Sequence, residues 1–285
     1  MKRIDWKNKR VRIVLRVSLI IFAFIILAFI AVFFAMRLGW TKVQGRVDPK
    51  SNLYNSLVDT FDRKQQVAGT PKWAQTPDWK LIKAGLTKDK DIIDKASAKS
   101  GVPARVILSS VVVEQFRYFG SNREVFKQLF MPLSMLGNSV KFSYGIAGVK
   151  IATAQQIEKN LKDRKSPFYP GAQYEHLLDF KTKDHDKERM NRLTDDKNHY
   201  YSYLYTGLYI KEIETQWNNS DYDLSDRPEV LATLFNLGFA HSDPKMAPQI
   251  GGSDITVDGK VYTFGGLAYQ FYYSNELGKT FPITQ

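Results

Sequence analysis

The 285-residue chain contains no cysteine. Disulfide scaffolds, thiol catalysis, iron–sulfur clusters and cysteine-ligated zinc are therefore excluded, and the fold must be held by its core alone. A thiol-free chain also suits an oxidising compartment, where it has nothing to mispair. Glycine-rich phosphate loops of the GxGxxG or Walker kind and the GxSxG nucleophile elbow are missing as well. The pairs Gly251-Gly252 and Gly265-Gly266 fit neither pattern. His176, His185 and His199, with Asp184 and Asp186, lack the tight spacing of HExxH and read as part of a solvated loop. No metal or cofactor is implied, and no internal repeat is apparent.

Acidic residues are in short supply: 29 Asp and Glu face 41 Lys and Arg, a formal net charge of +12. Such an excess invites an anionic partner, nucleic acid or a membrane surface. Its distribution decides between them. Ten of the basic residues, but only Asp5 among the acids, lie in residues 1–46, so +9 belongs to that segment and +3 to the remainder. Charge is absent between Arg16 and Arg37, where residues 17–36 form a 20-residue apolar run. As a helix it would rise about 30 Å, the thickness of a hydrocarbon core. It reads as a transmembrane helix, without the short apolar region and cleavage site of a signal peptide. Seven basic residues precede the run and three follow closely. The positive-inside rule then predicts a cytoplasmic tail over 1–16, a single-pass cell-membrane protein and an extracytoplasmic C-terminal domain. Nucleic acid is not expected as a partner.

Residues 37–87 mix Pro, Gly, Asn and Lys with scattered apolar positions and read as a stalk or peripheral subregion. From 88 to 285 helical patterns dominate. Ile92, Ile93 and Ala96 recur at helical spacing up to Gly101, and Pro103 opens a second helix at its first turn. Further helices are expected over 194–217, 227–237 and 267–277, the second with Asp226 as N-cap and Gly238 as its stop. Ile255–Phe264 places Asp258-Gly259 between two alternating runs, a hairpin signature. Residues 163–197 are crowded with charge and have little periodicity, and are expected to form an inserted surface loop.

One acid stands out. Glu114 sits in the strongly apolar helical stretch 103–119, on the face of Ile107 and Val111, with Gln115 and Tyr118 adjoining. Desolvation there favours the neutral carboxyl and raises its pKa, the condition for a general acid near neutral pH. The plainer alternative is an acid at an exposed helix edge, or one paired with Arg117 or Arg123.

The order Ile-Ile-x-x-Ala, Gly-Val-Pro, apolar helix ending in Glu114, then Ser143-Tyr144-Gly145-Ile146-Ala147-Gly148-Val149-Lys150, then Leu231-Ala-Thr-Leu-Phe-Asn236-Leu-Gly238, resembles the lytic transglycosylases of the soluble-lytic and goose-type lysozyme kind over about residues 88–245. The resemblance implies a mainly α, lysozyme-like (α+β) domain with a small β-hairpin, preceded here by the transmembrane helix. It implies Glu114 as catalytic acid/base and Ser143, Tyr144, Gly145, Gly148 and Asn236 as substrate-binding residues. Gln115 stands where the family has Ser, and Lys150-Ile151 replaces its Met-Gln pair. The implied partners are peptidoglycan glycan strands and, beyond them, cell-envelope proteins.

The chemistry is coherent with one carboxyl. Ordinary glycosidases need two, about 5–5.5 Å apart for retention and 6.5–9.5 Å for inversion. An N-acetylated sugar supplies its own second group, the acetamido oxygen, and its 6-hydroxyl can close a 1,6-anhydro ring without water. The rivals are a hydrolytic muramidase using Glu124, whose neighbours Arg123 and Lys127 mark it as a surface ion-pair partner, and an inactive glycan-binding or scaffold module. The tyrosines at 200, 201, 203, 205 and 209 would either stack on sugars or pack in the core.

Overall fold

The computed structural model describes residues 21–22, 70–119 and 143–283. The chain divides into two compact units, Met1–Arg46 and Val47–Gln285. Of the first, Ile21 and Phe22 are described, both helical and exposed. The second is built on helices α1 (Pro77–Lys88), α2 (Lys90–Ser100), α3 (Ala104–Phe119), α4 (Ile151–Asn160), α5 (His185–Thr194), α6 (Tyr200–Asn218), α7 (Pro228–Leu237) and α8 (Phe264–Tyr273). Its strands form two antiparallel pairs, β1 (Ser143–Tyr144) with β2 (Val149–Lys150) and β3 (Asp254–Val257) with β4 (Lys260–Thr263).

Among the described residues no helix is long and apolar enough to cross a membrane. Helix α6 has the length, with 19 residues, but carries Lys211, Glu212 and Glu214. The expected lysozyme-like α+β domain behind a transmembrane helix is thereby corrected to a mainly helical unit with two small hairpins. The expected single-pass cell-membrane localisation, with an extracytoplasmic domain, is corrected with it. Residues 17–36, on which the transmembrane expectation rested, lie outside the described residues apart from Ile21 and Phe22.

Helix α3 is the hub. Its side chains are buried without a break from Arg105 to Glu114, and α1, α2, α6, α7 and α8 all pack on it. A helix apolar on every side is stable only when surrounded in this way. Arg105, 1% exposed, donates through Nε, Nη1 and Nη2 to the carbonyls of Phe271, Tyr272, Ser274, Glu276 and Phe281 at 2.7–3.1 Å. The guanidinium thus gathers carbonyls from the end of α8 and the segment beyond it.

Residues 70–87, expected to belong to a stalk or peripheral subregion, contribute to this core. Thr76 caps α1 by accepting from the Trp79 amide at 3.2 Å, and Pro77 takes the first helical position. Trp73 and Trp79 meet edge to face at 5.0 Å and pack against Phe116 and Phe271. The region expected to be an inserted loop contains α5. It buries two arginines beside Leu193: Arg189 pairs with Glu158 and Asp186, and Arg192 with Glu188, while both guanidinia lie over the Phe180 ring. Helix α7 begins at Pro228 with Arg227, not Asp226, at the N-cap, and Gly238 ends it with φ 99°. The Asp258-Gly259 turn closes β3 onto β4 with Val257 opposite Lys260.

Candidate functional site

The β1–β2 hairpin brings the middle of the chain to the end of α3. Ser143 pairs with Lys150 and Tyr144 with Val149, and the loop between them is Gly145–Gly148, closed by the Gly148 amide donating to the Gly145 carbonyl at 3.3 Å. Both terminal glycines have left-handed backbone, φ 66° and 62°. Each is also pressed against a neighbour. A Cβ on Gly145 would stand 2.8 Å from Ser202 Oγ and strike the Leu193 carbonyl. One on Gly148 would stand 2.5 Å from Glu114 Oε2 and 2.8 Å from its Cδ. Gln115 donates to the Ile146 carbonyl at 2.5 Å, which ties the loop to α3.

Glu114 is 6% exposed. Its Oε2 is ion-paired with Arg117, three residues on along α3, whose own side chain is mostly buried. The plainer alternative raised by the sequence, pairing with Arg117, is therefore realised, and it gives a buried carboxylate the countercharge it requires. The same carboxyl also packs against Gly148, so Glu114 and the glycine loop form one cluster. Glu124, the second carboxyl of the muramidase reading, lies outside the described residues. Asn236 Oδ1 accepts from the Ser253 amide at 2.8 Å and the Ser253 hydroxyl at 3.0 Å, fixing the approach to β3.

Beside the glycine loop opens a cavity of about 310 Å³, lined by Gln115, Tyr118, Gly145, Ile146, Thr194, Asp195, Asp196 and His199. Two of the expected site residues are within reach of it: Gly145 lines it, and Gly148 sits at the other end of the same four-residue loop. The wall combines a half-exposed tyrosine ring, an amide, carboxylates and an imidazole, a mixture suited to a polyhydroxylated ligand with apolar faces. The Asp195 carboxyl accepts from the Lys197 and Asn198 amides at 2.9 and 3.0 Å, which hold its pKa below the ordinary carboxylate value. That turn also separates α5 from α6, where the sequence suggested one helix from 194 to 217.

His199, read from the sequence as part of a solvated loop, is half-buried instead. Its Nδ1 lies 2.6 Å from Asp89 Oδ2, and Tyr203 donates to the same oxygen at 2.9 Å. Asp89 is 7% exposed and sits at the junction of α1 and α2. Burial, with Asp89 adding to it, pushes the Tyr203 hydroxyl pKa up, so that group stays a proton donor. Asp89 and His199 are 110 positions apart, and no local motif links them. Of the other histidines, His176 pairs with Asp179 and His185 stacks on Phe180. Among the described residues no cluster of three or more His, Asp or Glu suits a metal ion. Tyr203, Tyr205 and Tyr209 are core residues rather than a sugar platform.

No family model, curated protein or solved structure matches the chain.

Proposed function

We propose that this chain is a peptidoglycan lytic transglycosylase, cleaving the bond between N-acetylmuramic acid and N-acetylglucosamine with Glu114 as its acid. The observation that carries the reading is the packing of the Glu114 carboxyl against Gly148 of the β1–β2 loop, with the next residue, Gln115, in the wall of the cavity beside it. The acid from the apolar helix and the glycine loop that follows it in sequence are thus neighbours in space. Protonated Glu114 gives its proton to the leaving glycosidic oxygen as the anomeric carbon–oxygen bond breaks. The substrate's acetamido oxygen stabilises the positive charge that develops. The sugar's own 6-hydroxyl then bonds to the anomeric carbon and gives its proton to the Glu114 carboxylate, closing a 1,6-anhydro ring and restoring the acid.

A second reading is favoured by one observation, the ion pair of Glu114 with Arg117. A carboxylate held in that pair suits a module that binds glycan strands without cutting them. Digestion of purified cell-wall sacculi with the intact chain separates the readings. The expected result is release of anhydro-muropeptides by the wild-type chain and a loss of about 10²–10⁴-fold in Glu114→Gln, the range for removing a general acid. Equal activity of that variant overturns the assignment of Glu114. Reducing-end products mark a hydrolytic muramidase instead, and sacculus binding without release of fragments marks the binding module.

A further inference from the structure

Three facts about Glu114 point the same way. Its carboxylate is ion-paired with Arg117, it is 6% exposed, and it is not among the residues that line the cavity beside it. A buried carboxylate under a guanidinium keeps its charge and has no proton to give, and a ligand confined to that cavity does not meet it. This is a resting arrangement. Catalysis by Glu114 requires something to move.

The β1–β2 loop is the segment that lies on Glu114. Gly148 packs so closely that a Cβ would stand 2.8 Å from the Glu114 Cδ and 3.3 Å from Arg117 Nη2. At the other end of the loop Gly145 and Ile146 line the cavity. The same four residues thus touch the cavity on one side and the ion pair on the other. Gly145 rests on the Leu193 carbonyl and Ser202, where α5 and α6 meet, which makes that end the fixed one. The rest is lightly held. Each of β1 and β2 has two residues, and of the loop itself only Ala147, 1% exposed, is buried in the core. From α3, Gln115 donates to the Ile146 carbonyl. Short strands with few buried side chains open at low cost, and glycines at both ends of a loop can absorb the backbone change. Gln115 is also in the cavity wall, so a ligand rich in hydroxyl and amide groups that enters the cavity competes for the very amide that fastens the loop.

We propose that the β1–β2 loop is a strap that keeps this site latent: Gln115 fastens it over the Glu114–Arg117 pair, and a glycan strand entering the cavity takes over the Gln115 amide, lifts the strap and joins cavity and carboxyl into one cleft. The inference rests on the glycan-cleaving reading above and adds its regulation. With the strap lifted, the ion pair stands in water, where the attraction between its partners is weak, and the long Arg117 side chain can turn out to solvent. Glycan settling over the carboxyl then desolvates it and favours the neutral form that donates the proton. The glycine loop and the acid are thereby coupled through substrate: the strand that is to be cut is the one that arms the cut.

Because the chain has no cysteine, a single thiol placed under the strap reports its opening. Ala147→Cys in the intact chain is the first choice, and Val149→Cys, at a position 3% exposed, is the second should the first fail to fold. Modification by a small charged thiol reagent is expected to be slow at rest. With soluble peptidoglycan strands it should be at least about tenfold faster, as an open state populated at about 10% or less becomes the major one. Adding Gln115→Ala should give the faster rate without glycan. In sacculus digestion Gln115→Ala should lower apparent KM with kcat little changed, because substrate no longer has to open the strap. Labelling that glycan slows or leaves unchanged, or a Gln115→Ala chain that labels at the resting rate, overturns the strap. Muropeptide release by the same chains, lost in Glu114→Gln, then leaves glycan cleavage standing. Glycan-dependent labelling of a chain that releases no muropeptides upholds the strap and overturns the cleaving reading. A chain in which neither labelling nor release responds to glycan overturns both.

Discussion

Buried ionisable side chains carry much of the individuality of this chain, and each is compensated differently. Arg105 spends its guanidinium on backbone carbonyls, Glu114 is matched by Arg117, and Asp89 is matched by a half-buried imidazole and a tyrosine hydroxyl. Glu212 on α6 is the least compensated. It is fully buried; Asn160 donates to Oε2 at 2.9 Å, and Oε1 has no hydrogen-bond partner among the described residues. Burial pushes its pKa well above the ordinary glutamate value, with the Asn160 hydrogen bond opposing in part. Its carboxyl is therefore neutral in the folded chain over a range where the unfolded chain, ionising at about pH 4.3, has lost the proton. Because the folded state then binds more protons, stability contributed by this group is complete at low pH. It falls as pH rises from the unfolded pKa through the folded one. Glu212→Gln keeps an acceptor for Asn160 and cannot ionise. The difference in unfolding free energy between variant and wild type, measured in urea from pH 5 to 8, should move in favour of the variant by up to about 1.4 kcal/mol per pH unit. A difference that stays flat across that window would mean that Glu212 ionises as freely in the folded chain as in the unfolded one.

Among the elements, close approach of helices and loops is set by a few glycines, and their environments differ enough to predict opposite effects. Gly207 lies within α6 where it crosses α2. A Cβ there would stand 2.7 Å from Ser100 Cβ and 3.1 Å from Ile107 Cδ1. Gly85 in α1 is exposed and a Cβ there would meet nothing within 4 Å. Alanine gains about 1 kcal/mol of helix propensity at either site, whereas overpacking costs about 1–3 kcal/mol. Gly85→Ala should therefore raise the unfolding free energy by about 0.5–1 kcal/mol, and Gly207→Ala should lower it by up to about 2 kcal/mol, both read from urea midpoints. Equal effects would show that α2 and α6 are not in contact at Ser100. At this scale the sequence was informative where pattern and punctuation agree. Pro103, Pro228, Gly238 and Asp258-Gly259 mark boundaries that the backbone follows. It was uninformative for α5, because two of its three buried residues are Arg189 and Arg192, which leave Leu193 without an apolar period.

For the molecule as a whole, the two ends of the described unit meet on α3. Trp73 donates to Gln270 at 3.1 Å and Trp79 to Glu276 at 2.9 Å, while Arg105 binds the carbonyls that follow α8. Residues 70–88 thus complete the core. A chain beginning at residue 70 should unfold cooperatively in urea. One beginning at residue 89 should lack a cooperative transition, having lost two tryptophans that are each 1% exposed. Equal midpoints would return residues 70–87 to the status of a stalk or peripheral subregion. The Trp–x5–Trp spacing has no recognisable period, which is why its contribution to the core is invisible until Phe116 and Phe271 are placed against it.

The sequence by itself determined what depends on neighbours along the chain. That includes the apolar character of α3 around Glu114, the glycines that permit a tight β1–β2 loop, the helix starts and stops, and the absence of thiol chemistry. Only the tertiary structure decided what depends on contacts between distant segments. It paired Glu114 with Arg117 under Gly148, bound Asn236 to Ser253, and brought Asp89 to His199 and Tyr203, each more than a hundred residues from it. Local patterns record which face of an element is apolar, whereas a cavity wall is made of side chains contributed by several elements, and their meeting leaves no period in any one of them.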